Sequence, residues 1–196
     1  MSQVYTYKYP HPAVTVDALV FGFDGTDLRL LLIERGKEPY AGKWAFPGGF
    51  MEMDETAEEG VLRELQEETG LQVVNMRQIG AFSAVHRDPR ERVVSIAFYT
   101  LVRLEDDSVL QAGDDACKAH WFHLSELPPL AFDHSDILMV ALQTFQSDLR
   151  LALWGEESTL WLQQFKKEDW KLLAERVEHF MKEQKHDRMD NLDKGL

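Results

Sequence analysis

Branched and small apolar residues alternate along 13–21, break at Asp24-Gly25-Thr26-Asp27, and return along 28–34. This pattern predicts two strands joined by a turn, because Asp and Gly supply turn geometry between half-buried runs. The period then changes. Val61, Leu62 and Leu65 cluster on one side of a helix over 56–69, a stretch free of Pro, and Gly70 supplies its stop. Asp54, just ahead, is expected to cap the free amides at the helix start. Residues 71–85 and 92–102 read as two further strands joined by His86-Arg87-Asp88-Pro89-Arg90-Glu91. After a polar stretch over 105–115, a short strand is predicted at 119–123. A helix starting at Asp133 or Ser135 should run to about Asp148, and Trp154-Gly155 reads as a helix end. Trp170, Leu172, Leu173, Val177, Phe180 and Met181 form a rough apolar stripe on a charged helix over 165–185. Such a stripe suits core packing or a dimer contact. The polar tail 187–196 is expected to be disordered.

On the helix over 56–69, Glu64, Glu67 and Glu68 stand at i, i+3 and i+4 and share a second face. Glu67 and Glu68 lie in the last turn, where the helix dipole disfavours negative charge. Like charges at this spacing cost about 0.3 kcal/mol per pair, and the dipole adds a comparable amount. A cation held between the carboxylates would offset both penalties. The plain alternative is a solvated acidic face, the usual meaning of a charge run.

The surrounding spacing decides between these readings. Gly49-x5-Glu55-x7-Arg63-Glu64-Leu65-x-Glu67-Glu68-x-Gly70-Leu71 matches the complete Nudix box, so the chain resembles the Nudix hydrolase family. The resemblance covers approximately residues 10–150. It implies an α/β/α sandwich with a mixed central sheet over 1–150, leaving 151–196 as a helical C-terminal extension. It also implies divalent-metal hydrolysis of a diphosphate that links a nucleoside to another group. Mg2+ is the expected cofactor and Mn2+ a substitute, because carboxylate oxygens are hard ligands. By the same resemblance, Glu64 and Glu68 are the principal metal ligands, Glu67 assists, and the Gly48 carbonyl adds one oxygen. Arg63 is expected to orient the catalytic carboxylates through Glu55 or a neighbour. Bound metal would neutralise the diphosphate and activate water.

Outside the box, Trp44-Ala45-Phe46-Pro47-Gly48-Gly49, the loop His86-Arg87-Asp88-Pro89-Arg90 and the run Leu130-Ala131-Phe132-Asp133-His134 resemble the ADP-ribose pyrophosphatase branch. So does the strand Val93-Val94-Ser95-Ile96-Ala97-Phe98. That branch implies cleavage of ADP-ribose to AMP and ribose 5-phosphate, with oxidised nucleoside triphosphates as a less favoured substrate class. It also contains Nudix-derived transcriptional regulators that bind ADP-ribose or related metabolites, and its enzymes are frequently homodimers.

Arg87, Arg90 and Arg92 crowd one loop and are candidate phosphate contacts, Arg87 first, with Arg35 at the end of the second strand as another. The alternative is a turn at Asp88-Pro89 with solvated arginines. Phe82, Tyr99 and Phe122 are available to adenine, although strand aromatics more often belong to a core. Trp44 is expected beneath the Gly48-Gly49 loop. The family often adds a base or an extra ligand from an acidic loop before a late strand. Asp114 and Asp115 occupy that place here, with Glu105, Asp106 and Asp107 as alternatives, against the simpler reading of loop charges. The histidines are scattered without a ligand pattern.

Composition narrows the setting. With 196 residues, 44% hydrophobic and 28% charged, the chain can bury a substantial core. Its apolar runs are too short to span a membrane, and its first residues lack the apolar core of a secretion signal. The single Cys117 excludes an intramolecular disulfide and fits a reducing cytoplasm. A net charge of -13 opposes a broad nucleic-acid surface, while a metal-bound site remains compatible with a small anion. From Ser147 onward, nine Lys and Arg face eleven Asp and Glu, a poor footprint for DNA. Nucleic acid is therefore an unlikely partner, and a small nucleoside diphosphate derivative is the expected one.

Overall fold

β1 (Ala13–Phe23) is the spine of the sheet, and its alternation accounts for the architecture. Val16, Ala18 and Val20 enter one core, while Leu19, Phe21 and Phe23 enter another. A strand apolar on both faces must be covered on both, which requires helical layers on the two sides. The computed structural model describes residues 5–104, 116–155, 162 and 164–193.

β1 runs parallel to β6 (Val93–Arg103) along its whole length, from Ala13↔Val93 to Phe23↔Arg103. Its other edge is divided. The far end pairs antiparallel with β2 (Leu28–Arg35) after a turn in which Asp24 Oδ1 accepts the Thr26 and Asp27 amides, each at 2.9 Å. The near end pairs with a short strand at Gly48–Phe50, β4, which follows β3 (Trp44–Ala45). β5 (Arg77–Phe82) adds to β6, and β7 (Ala116–His123) adds to β2. The result is a seven-stranded mixed sheet in the order β3-β2-β1-β6-β5, with β4 on β1 and β7 on β2.

α1 (Ala57–Thr69) covers one face with Val61 and Leu65, Leu62 being half-buried beside them. Its N-cap is Thr56, not Asp54. Thr56 and Glu59 cap one another reciprocally through side chain and backbone, at 2.8 and 3.2 Å, which satisfies two otherwise orphaned amides. The opposite face is covered by α2 (His134–Trp154) and α3 (Lys167–Asp193). α2 ends at a left-handed Gly155, so a domain edge at residue 150 falls inside a helix.

The C-terminal stripe is core. Leu173 and Val177 are fully buried, Phe180 and Met181 nearly so, in the cluster that holds Phe23, Phe145 and Leu149. Asp169 also pairs with Arg103 at 3.1 Å, and Arg103 sits over the Phe165 ring. Where the tail beyond residue 186 is expected to be disordered, α3 continues to Asp193, over a stretch without Pro or Gly. The strand expected over 71–85 is confined to β5; Leu71, Val73 and Met76 instead pack under α1. Among the described residues no helix is long and apolar enough to cross a membrane.

Candidate active site

The exposed side of α1 carries a graded set of carboxylates around one guanidinium. Arg63 donates to Glu55 through Nε and Nη2 at 2.9 and 2.7 Å, and through Nη1 to Glu64 at 2.9 Å and Glu67 at 3.2 Å. Its Nη2 also reaches the Phe50 carbonyl at 3.2 Å, which ties helix to β4. The hydrogen bonds from Arg63 hold Glu55 at a pKa of about 2. Glu67 is the outermost of the group, its side chain 60% exposed.

Glu64 and Glu68 are different. Burial raises the Glu64 pKa despite the Arg63 contact, and burial pushes Glu68 up to about 8, with Glu64 adding repulsion. Glu68 accepts the Gly48 amide at 2.8 Å, and among the described residues it has no ion-pair partner. Glu64 lies so close to β4 that a Cβ at Gly49 would stand 2.5 Å from its Oε1. Two half-buried carboxylates one helical turn apart, next to a backbone turn, form a hard-oxygen donor set. Among the described residues no three His, Cys, Asp or Glu side chains converge as a closed cage. The Glu64 and Glu68 pair suits a cation that binds through one or two carboxylates and keeps its remaining positions for water and phosphate oxygens, the habit of Mg2+.

Beside this turn opens a cleft lined by Asp17, Arg35, Gly48, Arg90, Phe132 and His134, with Arg87 in its wall. The three arginines are not equivalent. Arg87 is buried in a two-bond pair with Asp133, at 2.9 and 2.6 Å. Arg90 makes a similar pair with Asp88, at 3.0 and 2.7 Å. Arg35 instead donates to the Pro39 carbonyl at 2.9 Å and lies 4.7 Å from the Phe132 ring centre. Among the described residues it has no carboxylate at ion-pair distance. Phe132 presents its ring to Arg35 and Arg90 from a left-handed backbone, φ 52°, which is rare for a bulky residue. The cleft can therefore offer one guanidinium without a direct carboxylate contact among the described residues, next to the Gly48 turn.

A family model described as "NUDIX domain" matches residues 11–142, two thirds of the chain. The chain belongs to the Nudix family. It is 46% identical over 130 residues to an ADP-ribose pyrophosphatase of Methanocaldococcus jannaschii, covering 66% of this chain and 73% of that one. It is 30% identical over 154 residues to the ADPR-responsive transcriptional repressor NtrR of Acinetobacter baylyi, covering 76% and 61%. Among solved structures, a MutT/nudix family protein from Enterococcus faecalis superposes with a TM-score of 0.75 at 28% identity, over 89% of this chain and 76% of that one. By membership and an intact box, the chain is a Nudix pyrophosphohydrolase of the α/β/α fold.

The Nudix box residues Glu55, Arg63, Glu64, Glu67 and Glu68 thus come together with Gly48 at one end of the cleft. Arg35, Arg87 and Arg90 line it. Arg92 does not: its guanidinium donates to the Ser83, Ala84 and Val93 carbonyls and closes the loop before β6. Tyr99 is fully buried with its hydroxyl on Asp148, and Phe122 packs edge-on against Trp44, so neither faces the cleft; Phe82 is half-buried against the same core. Trp44 likewise belongs to the β3–β7 packing, not to the floor beneath Gly48-Gly49. Asp114, Asp115 and Glu105 to Asp107 lie outside the described residues.

The sequence marks His134 only as the last residue of the run 130–134 and does not single out Asp17. Asp17 is nearly buried, accepts the Ser95 hydroxyl and pairs in register with Gly48. A lone Asp inside an otherwise apolar strand was its available signal, since such a residue needs a partner or a purpose. His134 starts α2 and has no distinguishing spacing.

Proposed function

We propose that this chain hydrolyses ADP-ribose to AMP and ribose 5-phosphate with Mg2+, Mn2+ serving as a substitute. The observation that carries the reading is the placement of half-buried Glu64 and Glu68 beside a cleft whose Arg35 has no carboxylate at ion-pair distance among the described residues. The 46% identity to an ADP-ribose pyrophosphatase supports the choice of substrate.

In this account Glu64 and Glu68, with the Gly48 carbonyl, hold the cation, and Glu67 stands at the outer edge. The bound ion supplies charge neutralisation and an activated water. Arg63 keeps Glu64 directed toward β4 while Glu55 anchors Arg63. Arg35 takes diphosphate oxygens, which lets two negative charges enter a protein of net charge -13. Arg87 and Arg90, each already neutralised, shape the cleft and add polar contacts without a full free charge. Water adds across the anhydride: its oxygen bonds to one phosphorus as the bridging P–O bond breaks, and the other phosphate leaves with the bridging oxygen. Asp115 is retained as a candidate base.

A second reading, favoured by the NtrR similarity, is a metabolite sensor that binds ADP-ribose and controls transcription. The acidic C-terminal segment and the packing of α3 into the core weigh against it. Two measurements test the reading. Comparing kcat/KM for ADP-ribose with that for oxidised nucleoside triphosphates should favour ADP-ribose, and the reverse order would replace the substrate. A low-salt gel shift should find no specific duplex, whereas duplex binding released by ADP-ribose would favour the sensor.

A further inference from the structure

The turn that carries Gly48 is held at three consecutive backbone positions. The Phe46 amide donates to His134 Nδ1 at 3.1 Å, the Pro47 carbonyl accepts the Ala18 amide at 2.8 Å, and the Gly48 amide donates to Glu68. Between β3 and β4 the sheet ladder is interrupted, and Pro47 has no amide to contribute. Phe46 is 2% exposed, so without His134 its amide would be a buried donor lacking a partner.

His134 is shaped for this single task. Its ring lies flat against the Phe46 ring, centroids 4.5 Å apart and planes 4° from parallel. Because Nδ1 accepts a hydrogen bond, the ring proton belongs on Nε2. Nε2 faces Asp17 Oδ1 at 3.7 Å, while the Ser95 hydroxyl takes Asp17 Oδ2. Burial lowers the His134 pKa, in keeping with a neutral ring. The position of His134 is itself fixed, since the Ala131 amide donates to the Trp44 carbonyl at 2.8 Å and Leu130 bridges Trp44. The start of α2 is thus registered on β3, and His134 extends that register to the turn. Gly48 has no room for a side chain: a Cβ there would stand 2.2 Å from the Val16 carbonyl oxygen.

We propose that His134 is a positioning residue for the metal site, acting through the Phe46 amide to fix the Gly48 carbonyl and the Glu68 contact. The inference rests on the metal-site reading above. It assigns to α2, on the far side of the sheet from α1, a part in cation affinity.

The test is Mn2+ binding to the full-length protein by electron paramagnetic resonance, which needs no turnover. His134→Phe keeps the ring stack and removes the acceptor. It should weaken Mn2+ binding about tenfold or more, the scale on which groups that orient ligands act. His134→Asn places an oxygen near the Nδ1 position and should recover most of that loss. Equal weakening in both variants, or none in either while Glu68→Gln abolishes binding, would overturn the proposal and leave the metal site standing. Glu68→Gln binding Mn2+ as the unaltered protein does would overturn the metal site, and the proposal with it. Nitrogen-15 spectra of the unaltered protein give an answer that does not depend on a variant folding. Nδ1 should be the unprotonated, hydrogen-bonded nitrogen, and a proton on Nδ1 would overturn the proposal.

Discussion

At the scale of single residues, the site separates groups that look alike in sequence. Glu68, half-buried and without an ion-pair partner among the described residues, should be the least replaceable of the three carboxylates; Glu68→Gln is expected to lower metal-dependent turnover about 100-fold or more. The arginines should part in the same way. Arg35→Ala should raise KM for a diphosphate substrate with little change in stability. Arg87→Ala would strand Asp133 without its partner and should cost about 3 kcal/mol in urea unfolding. If Arg87→Ala leaves stability untouched and removes only substrate affinity, the roles assigned here are reversed. Glu55 supplies a pH test. Its pKa falls from 4.5 to about 2 on folding, so its contribution is fully present above pH 4.5 and is lost as pH drops toward 2. The stability gap between the unaltered protein and Glu55→Gln should therefore be flat at neutral pH and close on acidification through that window. A gap that widens instead would contradict the Arg63–Glu55 anchor.

At the scale of elements, α3 joins the core through residues that the stripe of Leu173, Val177, Phe180 and Met181 already marks. Leu173→Ala should cost about 3 kcal/mol by cavity formation, measured by urea or thermal unfolding; a change within 0.5 kcal/mol would mean that α3 is detachable. Much of this architecture is legible in sequence because period and spacing are local properties. β1, β2 and α1 follow directly from apolar alternation, a turn and a helical cluster. The Nudix box is legible for the same reason, its ligands lying on one helix. What is not legible is what depends on contacts distant in sequence. The Thr56 cap is no such case: its partner Glu59 is three residues on, and the local Thr-x-x-Glu spacing already marks it over Asp54. That Arg87 is neutralised depends on Asp133, which is 46 residues away. The Phe46–His134 contact spans 88 residues and leaves no periodic trace in either segment.

At the scale of the whole molecule, a chain of net charge -13 must admit an anion, and the fold meets this need locally. The box helix brings Glu64 and Glu68, whose repulsion a bound cation would relieve further, and Arg35 lines the adjoining cleft. Charge neutralisation at the site, and not the overall field, governs binding in this account. Removing divalent metal with a chelator should accordingly abolish turnover and leave the fold cooperative in thermal unfolding, since the core on both sheet faces is apolar and independent of the site. The measurement that tests the central claim most directly is release of AMP from ADP-ribose with Mg2+, run beside Glu68→Gln. Rapid release that requires the metal and disappears in the variant is the predicted result. Tight ADP-ribose binding without any metal-dependent release would contradict it and make the protein a sensor of that ligand.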